Sequence, residues 1–214
     1  ALISSGISIF YENDLNKIYT LADFNVLGSR ELQASDYIYQ IKRMSHPRVH
    51  SPISGLMKKY ILGLDELSKE LNSLYSSDSS SGYLNLHDYS LSGVNLIDKY
   101  TFEITLKEKY PQFLYWLSMS FFAPMPWEAD FFYSQKGFEE KNISLDWYPV
   151  GTGPFMLTEN NPNRRMVLEK NPNFRGEIYP TEGEEFDEDL GLLADAGKKM
   201  PFIDKAIYSL EKES

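Results

Sequence analysis

Apolar residues recur at three- and four-residue steps in two stretches near the middle of the chain. Tyr37, Ile38, Ile41 and Met44 share one face of a helix predicted over 34–45. Asp36 sits early, where a carboxylate suits a helix N-terminus, and Pro47 stops the run. Leu56, Tyr60, Leu64, Leu67, Leu71 and Leu74 repeat with helical spacing over 55–75, and Gly63 is expected to weaken or kink that helix. The serine-rich stretch 76–82 has no apolar core position and predicts an exposed flexible loop. The period then changes to two. Phe102, Ile104 and Leu106 alternate with Thr101, Glu103, Thr105 and Lys107, and with 93–97 before a turn at Asp98-Lys99 they predict a hairpin with one buried face. Pro111 suits the first turn of a short helix to Met119, and Pro126 starts another that runs to about 136 and stops at Gly137. Strands are predicted at 155–158 and 165–170, joined by the turn-forming Asn160-Asn161-Pro162-Asn163, and a last one at 205–211. Residues 6–11 read as a strand, 12–33 as loop, and 171–201 as irregular and acidic.

Helices interleaved with antiparallel hairpins imply an α+β architecture. The 214 residues suffice for one large domain or one and a half small ones, and no internal repeat is visible. A net charge of −10 and an isoelectric point near 4.8 repel phosphate backbones, so a nucleic-acid partner is not expected. The chain has no cysteine, which excludes disulfides, thiolate metal sites and a cysteine nucleophile. Aromatic residues reach 14%, which suits either a ligand-recognising surface or an aromatic core. No window approaches the ~18 apolar residues of a membrane span. The first residues lack the basic and apolar regions of a signal peptide and read as mid-strand, so further chain is expected on both sides.

The candidate chemistry is sparse. His46 and His50 are four apart, a zinc-like spacing, but Pro47 between them disfavours a shared helix face, and ordinary loop histidines are expected. The acidic run from Glu182 to Asp189 lacks calcium-loop spacing and reads as a solvated charge run. Glu128 and Asp130 are the best candidates for a hydrolytic carboxylate pair. Gly151-Thr152-Gly153 lacks the third glycine of a dinucleotide fingerprint and the lysine of a phosphate loop. By spacing it is a tight turn before a strand, with glycines at positive φ or at a close backbone approach.

Four ordered motifs carry a resemblance. The stretch 149–155, Pro-Val-Gly-Thr-Gly-Pro-Phe, and the stretch 164–174, Arg-Arg-Met-Val-Leu-Glu-Lys-Asn-Pro-Asn-Phe, resemble the signature of the oligopeptide- and dipeptide-binding family of solute-binding proteins that serve ABC importers. Residues 31–43 with Ser51-Pro52 after them, residues 98–106, and residues 113–126 ending Phe-Phe-Ala-Pro-Met-Pro resemble three further family segments in the same order. Three departures stand out. Gln33 replaces a usual capping Thr, so that Asp36 must do more of the capping, Ser120 replaces a common Pro, and the acidic loop 181–189 is long.

The resemblance implies part of the first lobe of a periplasmic binding protein type II fold, with the extra α+β subdomain of peptide-binding members. Residues 1–30 would be an N-terminal strand and connection, 31–148 the extra subdomain, and 149–214 the return to the main lobe before a hinge to a second lobe. It further implies a non-catalytic, cofactor-free and metal-free protein. That protein would be monomeric, periplasmic or lipid-anchored on the outer face of the membrane, and would pass peptides or a similar small solute to an ABC permease. By position, Ile53 after Ser-Pro, and Met119, Ser120 and Phe121 before the Pro turn, would contact ligand, although core roles fit each equally. Gly151 to Gly153 would hold a subdomain junction. An isolated fragment of this kind would bind peptide weakly. Two alternatives stay open, a carboxylate-dependent hydrolase and a partner-binding sensor domain on the same fold.

Overall fold

A computed structural model describes residues 30–77, 83–135, 138 and 141–211, and the strand expected at 6–11, the Gly137 stop and most of the 76–82 loop lie outside them. The chain divides into two compact units, 1–144 and 145–214.

In the first unit α1 (Ala34–Arg43) is the central helix. Asp36 carries its N-terminus: its Oδ2 accepts from the Gln33 backbone N–H at 2.9 Å, the half of a capping box that an acidic third residue supplies. Lys42 and Arg43 complement the dipole of the last turn. The helix ends two residues before its predicted limit, because Ser45 and His46 donate to the carbonyls of Lys42 and Arg43, three residues back. Its buried set is wider than the periodicity implied. Ala34, Tyr39, Ile41 and Met44 are buried, and so are the polar Asp36 and Gln40, while Tyr37 and Ile38 are only half-buried. Asp36 and the Gln40 amide nitrogen enter the interior with partners, described below.

The long helix expected over 55–75 is two helices, α2 (Ser54–Tyr60) and α3 (Leu64–Ser77). Gly63 separates them at φ +79°, a left-handed conformation open to glycine. A β-carbon there would lie 2.3 Å from Ser92 Oγ, and one on Gly93 would lie 2.2 Å from the Leu62 carbonyl oxygen. The two glycines therefore let the α2–α3 link run against the hairpin. Leu62 N–H donates to Thr105 O, Thr105 N–H to Gly93 O, and Lys107 N–H to Tyr60 O. The hairpin itself is β1 (Val94–Leu96) with β2 (Phe102–Ile104), antiparallel with Leu96 opposite Phe102. Asp98 Oδ1 accepts from Tyr100 N–H at 2.8 Å and closes the turn, an Asx turn of the kind Asp favours. The expected faces hold except at Thr105: Phe102, Ile104 and Leu106 are half-buried and Thr101, Glu103 and Lys107 exposed, but Thr105 is half-buried too, where its backbone bonds Gly93 and Leu62. Met57, Ile61, Leu64, Leu67 and Leu71 fill one apolar core with Ile41, Met44, Leu86, Phe113 and Phe122. Each such side chain, fully buried, contributes about 2 kcal/mol. The unit continues with α4 (Phe113–Leu117) and α5 (Trp127–Tyr133), whose N-cap is Pro126; both are shorter than predicted.

The second unit holds β3 (Phe155–Asn161), β4 (Arg165–Lys170) and β7 (Lys205–Ser209) in one antiparallel sheet ordered β3-β4-β7. The turn enters at Asn161, later than the sequence suggested, and the register shifts between Leu157 and Glu159. The stretch 171–201, expected to be irregular and acidic, contains a two-residue pairing, β5 (Glu177–Ile178) with β6 (Lys199–Met200). Val167 is the one buried apolar residue among the described residues of this unit, whereas Ile203, Ile207 and Tyr208 are exposed.

Candidate functional site

The segment after α4 carries three of the four residues expected to touch ligand. Met119, Ser120 and Phe121 enter a 3₁₀ turn over Ser120–Phe122. Its bonds are Phe122 N–H to Met119 O at 3.0 Å and Ala123 N–H to Ser120 O at 3.1 Å. Phe122 turns inward and meets Phe113 edge to face, with centroids 6.2 Å apart. Phe121 is half-buried, Ser120 is exposed and Met119 is 48% exposed. Leu114 and Tyr115 on α4 are open as well, so apolar surface continues along this element. Ile53 lies elsewhere in the packing: it is 7% exposed and belongs to the core cluster, against which Phe121 also packs.

Helix α1 braces this turn. Gln40 Nε2 donates to Phe121 O at 2.9 Å, and Asp36 O accepts from Met125 N–H at 3.2 Å. Sequence reading missed Gln40 because its period looked for apolar residues; the signal available was Pro124, which cannot donate to the turn it follows.

A second group of polar residues lies between α1 and α5. Arg30 reaches both Asp36, at 2.6 Å to Oδ1, and Glu128, at 2.6 Å to Oε1. Those hydrogen bonds, Asp36 first, raise the guanidinium pKa further above its already high value. Asp130 accepts from Arg43 Nε at 2.8 Å and from the Tyr39 hydroxyl at 2.7 Å. Burial, and then the Asp130 charge, push the Tyr39 hydroxyl pKa upward, so it stays protonated and donates. Arg30, Asp36, Glu128, Tyr39, His87 and Trp127 border a hollow of about 210 Å³. That is below the ~300 Å³ of the smaller ligand pockets, and its charges are already paired. The group ties helices together. Glu128 and Asp130 are thus committed to Arg30, Arg43 and Tyr39.

The remaining candidates are dispersed. His46 is buried, its Nδ1 accepting from Arg48 N–H at 3.1 Å, whereas His50 is exposed at φ +47°. No group of three potential metal ligands occurs among the described residues. In the acidic run, Asp187 Oδ2 accepts from Glu184 N–H at 2.8 Å and its neighbours are exposed. Gly151 and Gly153 depart from expectation: neither has positive φ, and a β-carbon on either meets no atom within 4 Å. Beside the β3–β4 pairing, Asn171 ties the two halves of the signature together. Its Nδ2 donates to Gly153 O and its N–H to Pro154 O, both at 2.9 Å. No helix among the described residues is long and apolar enough to cross a membrane.

Comparison with known proteins agrees with these motifs. The family described as bacterial extracellular solute-binding proteins, family 5 (middle region), matches residues 28–209. The periplasmic oligopeptide-binding protein OppA of Salmonella typhimurium is 26% identical over 178 residues, 80% of this chain and 28% of its own length. OppA of Escherichia coli is 26% identical over 173 residues, 79% of this chain and 28% of its own. The chain thus spans little more than a quarter of the length of these relatives. Among solved structures, the pheromone receptor PrgZ, described for its mode of peptide binding, superposes with a TM-score of 0.53 at 20% identity. It covers 86% of this chain and 29% of that one, a likeness of fold. The motifs, the mixed α+β fold and the match over 28–209 agree, and the chain belongs to family 5 of the bacterial extracellular solute-binding proteins.

Proposed function

We propose that the protein carrying this chain captures peptides, or a similar small solute, outside the inner membrane and hands them to an ABC permease. The match over residues 28–209 carries this reading, supported by the names of the curated relatives, which are oligopeptide-binding proteins. The protein acts by binding, without a catalytic step. It works as a monomer in the periplasm or held by a lipid anchor at the outer face of the membrane. Residues 31–148 serve as the extra α+β subdomain and 149–214 as the return to the main lobe, a reading supported by the division into units at 144/145.

Ligand contact falls to Met119, Ser120 and Phe121, with Ile53 shaping the wall from within. Openness of Met119 and Ser120 on a turn fixed from below supports this, since a pre-formed surface loses little entropy on binding. The hydrolase alternative is disfavoured by the engagement of Glu128 and Asp130 in ion pairs.

Mass spectrometry of solute co-purified with the complete protein tests the reading. Peptides are expected, and recovery of only non-peptide solutes or none overturns it. Calorimetry of residues 1–214 with a peptide pool tests whether the site draws on further chain: weak or no heat is expected, and micromolar binding overturns that part.

A further inference from the structure

Gln40 is an unusual choice for a position only 8% exposed on a central helix. Its Nε2 is satisfied by Phe121 O, but its Oε1 is buried without a hydrogen-bond partner among the described residues. A buried orphan acceptor costs about 1–3 kcal/mol, so an apolar side chain of similar size would be the cheaper solution for the core alone. The reason for an amide lies across the interface. In the turn after α4, Met119 O and Ser120 O accept from residues three further on. Phe121 O should accept likewise from residue 124, but that residue is proline and has no N–H. The next N–H, on Met125, is taken by Asp36 O. Phe121 O is therefore left without a local donor, and Gln40 supplies one.

We infer that Gln40 is a positioning residue for solute binding: its amide replaces the N–H that Pro124 lacks and holds the Met119–Ala123 turn in the orientation used for ligand contact. The inference rests on the reading that Met119, Ser120 and Phe121 touch ligand. Gln40 itself stays beneath the surface and touches no solute.

Gln40→Met and Gln40→Glu in the complete protein provide the test, read by amide hydrogen exchange of the ligand-free protein and by affinity for its co-purified peptides. Gln40→Met is nearly isosteric and exchanges one orphan acceptor, Gln40 Oε1, for another, Phe121 O, so thermal stability should change little. Exchange at the Phe122 and Ala123 N–H groups should speed up about tenfold while α3 amides keep their rates, and peptide affinity should fall about tenfold, the value of one lost hydrogen bond. Gln40→Glu should bind like wild type at acid pH, where the neutral carboxyl donates to Phe121 O. It should lose affinity as pH rises and the carboxylate faces a carbonyl oxygen. If Gln40→Met fails to fold, this pH profile, with wild type as reference, decides.

Unchanged exchange at Phe122 and Ala123 overturns the inference. So does unchanged affinity in Gln40→Met where Met119→Ala weakens binding. If Met119→Ala and Phe121→Ala leave affinity intact while Gln40→Met still speeds exchange, the ligand-contact reading fails and the bracing by Gln40 stands.

Discussion

Arg43 Nε lies 2.8 Å from Oδ1 of Asp130, a residue 87 positions away, and the pair joins α1 to α5. Both side chains are largely buried, and the second oxygen of Asp130 accepts from Tyr39. Asp130→Asn keeps the shape and removes the charge, so Arg43 keeps its desolvation penalty without its counter-charge. A loss of about 2 kcal/mol is expected. Urea denaturation reads it as a lower midpoint at unchanged slope, and an unaltered midpoint would show the pair to be no stronger than a surface one.

Gly93→Ala should be among the most damaging single-methyl changes in the first unit. Its β-carbon would sit 2.2 Å from the Leu62 carbonyl oxygen, where backbone, not a flexible side-chain tip, must yield. Overpacking of this kind costs about 1–3 kcal/mol, and the link between α2 and α3 should lose hydrogen-exchange protection at Leu62 first. Wild-type protection there refutes the close approach.

His46 predicts a pH dependence of known sign. Burial lowers its pKa; Asp130 opposes that shift, while Arg43 and Arg48 reinforce it. The unfolded chain therefore takes up a proton first as pH falls below about 6.5, and stability, fully present above that value, declines toward the lowered folded pKa. The slope is at most about 1.4 kcal/mol per pH unit for this group. His87, also lowered by burial, adds a component of the same sign. His46→Gln should flatten the stability profile between pH 7 and pH 5; an identical profile in the variant rules His46 out as its source.

The two kinds of candidate contact residue should separate cleanly. Ile53→Ala opens the core and should cost about 2–4 kcal/mol of stability. Met119→Ala, at a half-open position, should cost well under about 1 kcal/mol yet weaken peptide binding by the complete protein several-fold. Thermal melts and peptide titrations on the same preparations distinguish them, and equal melting losses would contradict the burial difference.

Gly153→Ala should be tolerated, because its β-carbon meets open space and its φ is not positive. Asn171→Ala should cost about 1 kcal/mol by releasing the carbonyl of Gly153, read as faster proteolysis near the start of β3. The reverse order of the two effects would return the constraint to the glycine.

Periodicity made the elements legible wherever one apolar face decided them. Phe102, Ile104 and Leu106 marked their hairpin, and Leu64, Leu67 and Leu71 marked α3. On α1 the period located the helix and the buried Ile41 and Met44 but missed its polar interior, because a helix covered nearly all round buries polar groups whose partners lie far off in the chain, as Tyr39 does with Asp130 and Gln40 with Phe121. Helix ends were also misjudged. Gly63 reads in sequence as a point that weakens or kinks one helix, yet at its positive φ one helix ends and another begins. The expected contact residues Met119 and Ser120 came from family resemblance, since no residue chemistry distinguishes an exposed Met on a ligand surface from one on any other surface. The glycines of the signature gave a plausible steric account that their open surroundings do not support, while the working residue, Asn171, carried no such signal.

One turn of α1 grips both sides of Pro124, through the Gln40 side chain to residue 121 and the Asp36 carbonyl to residue 125. Asp36 also receives Arg30 through its side chain. Substitutions in the two regions should therefore be coupled. A lineage that changes the turn to suit a new solute must do so against a helix already committed to its ion pairs, so substitutions near residue 121 should depend strongly on the background at 36 and 40. Compensating pairs, rather than independent single changes, are the route by which such a surface can drift.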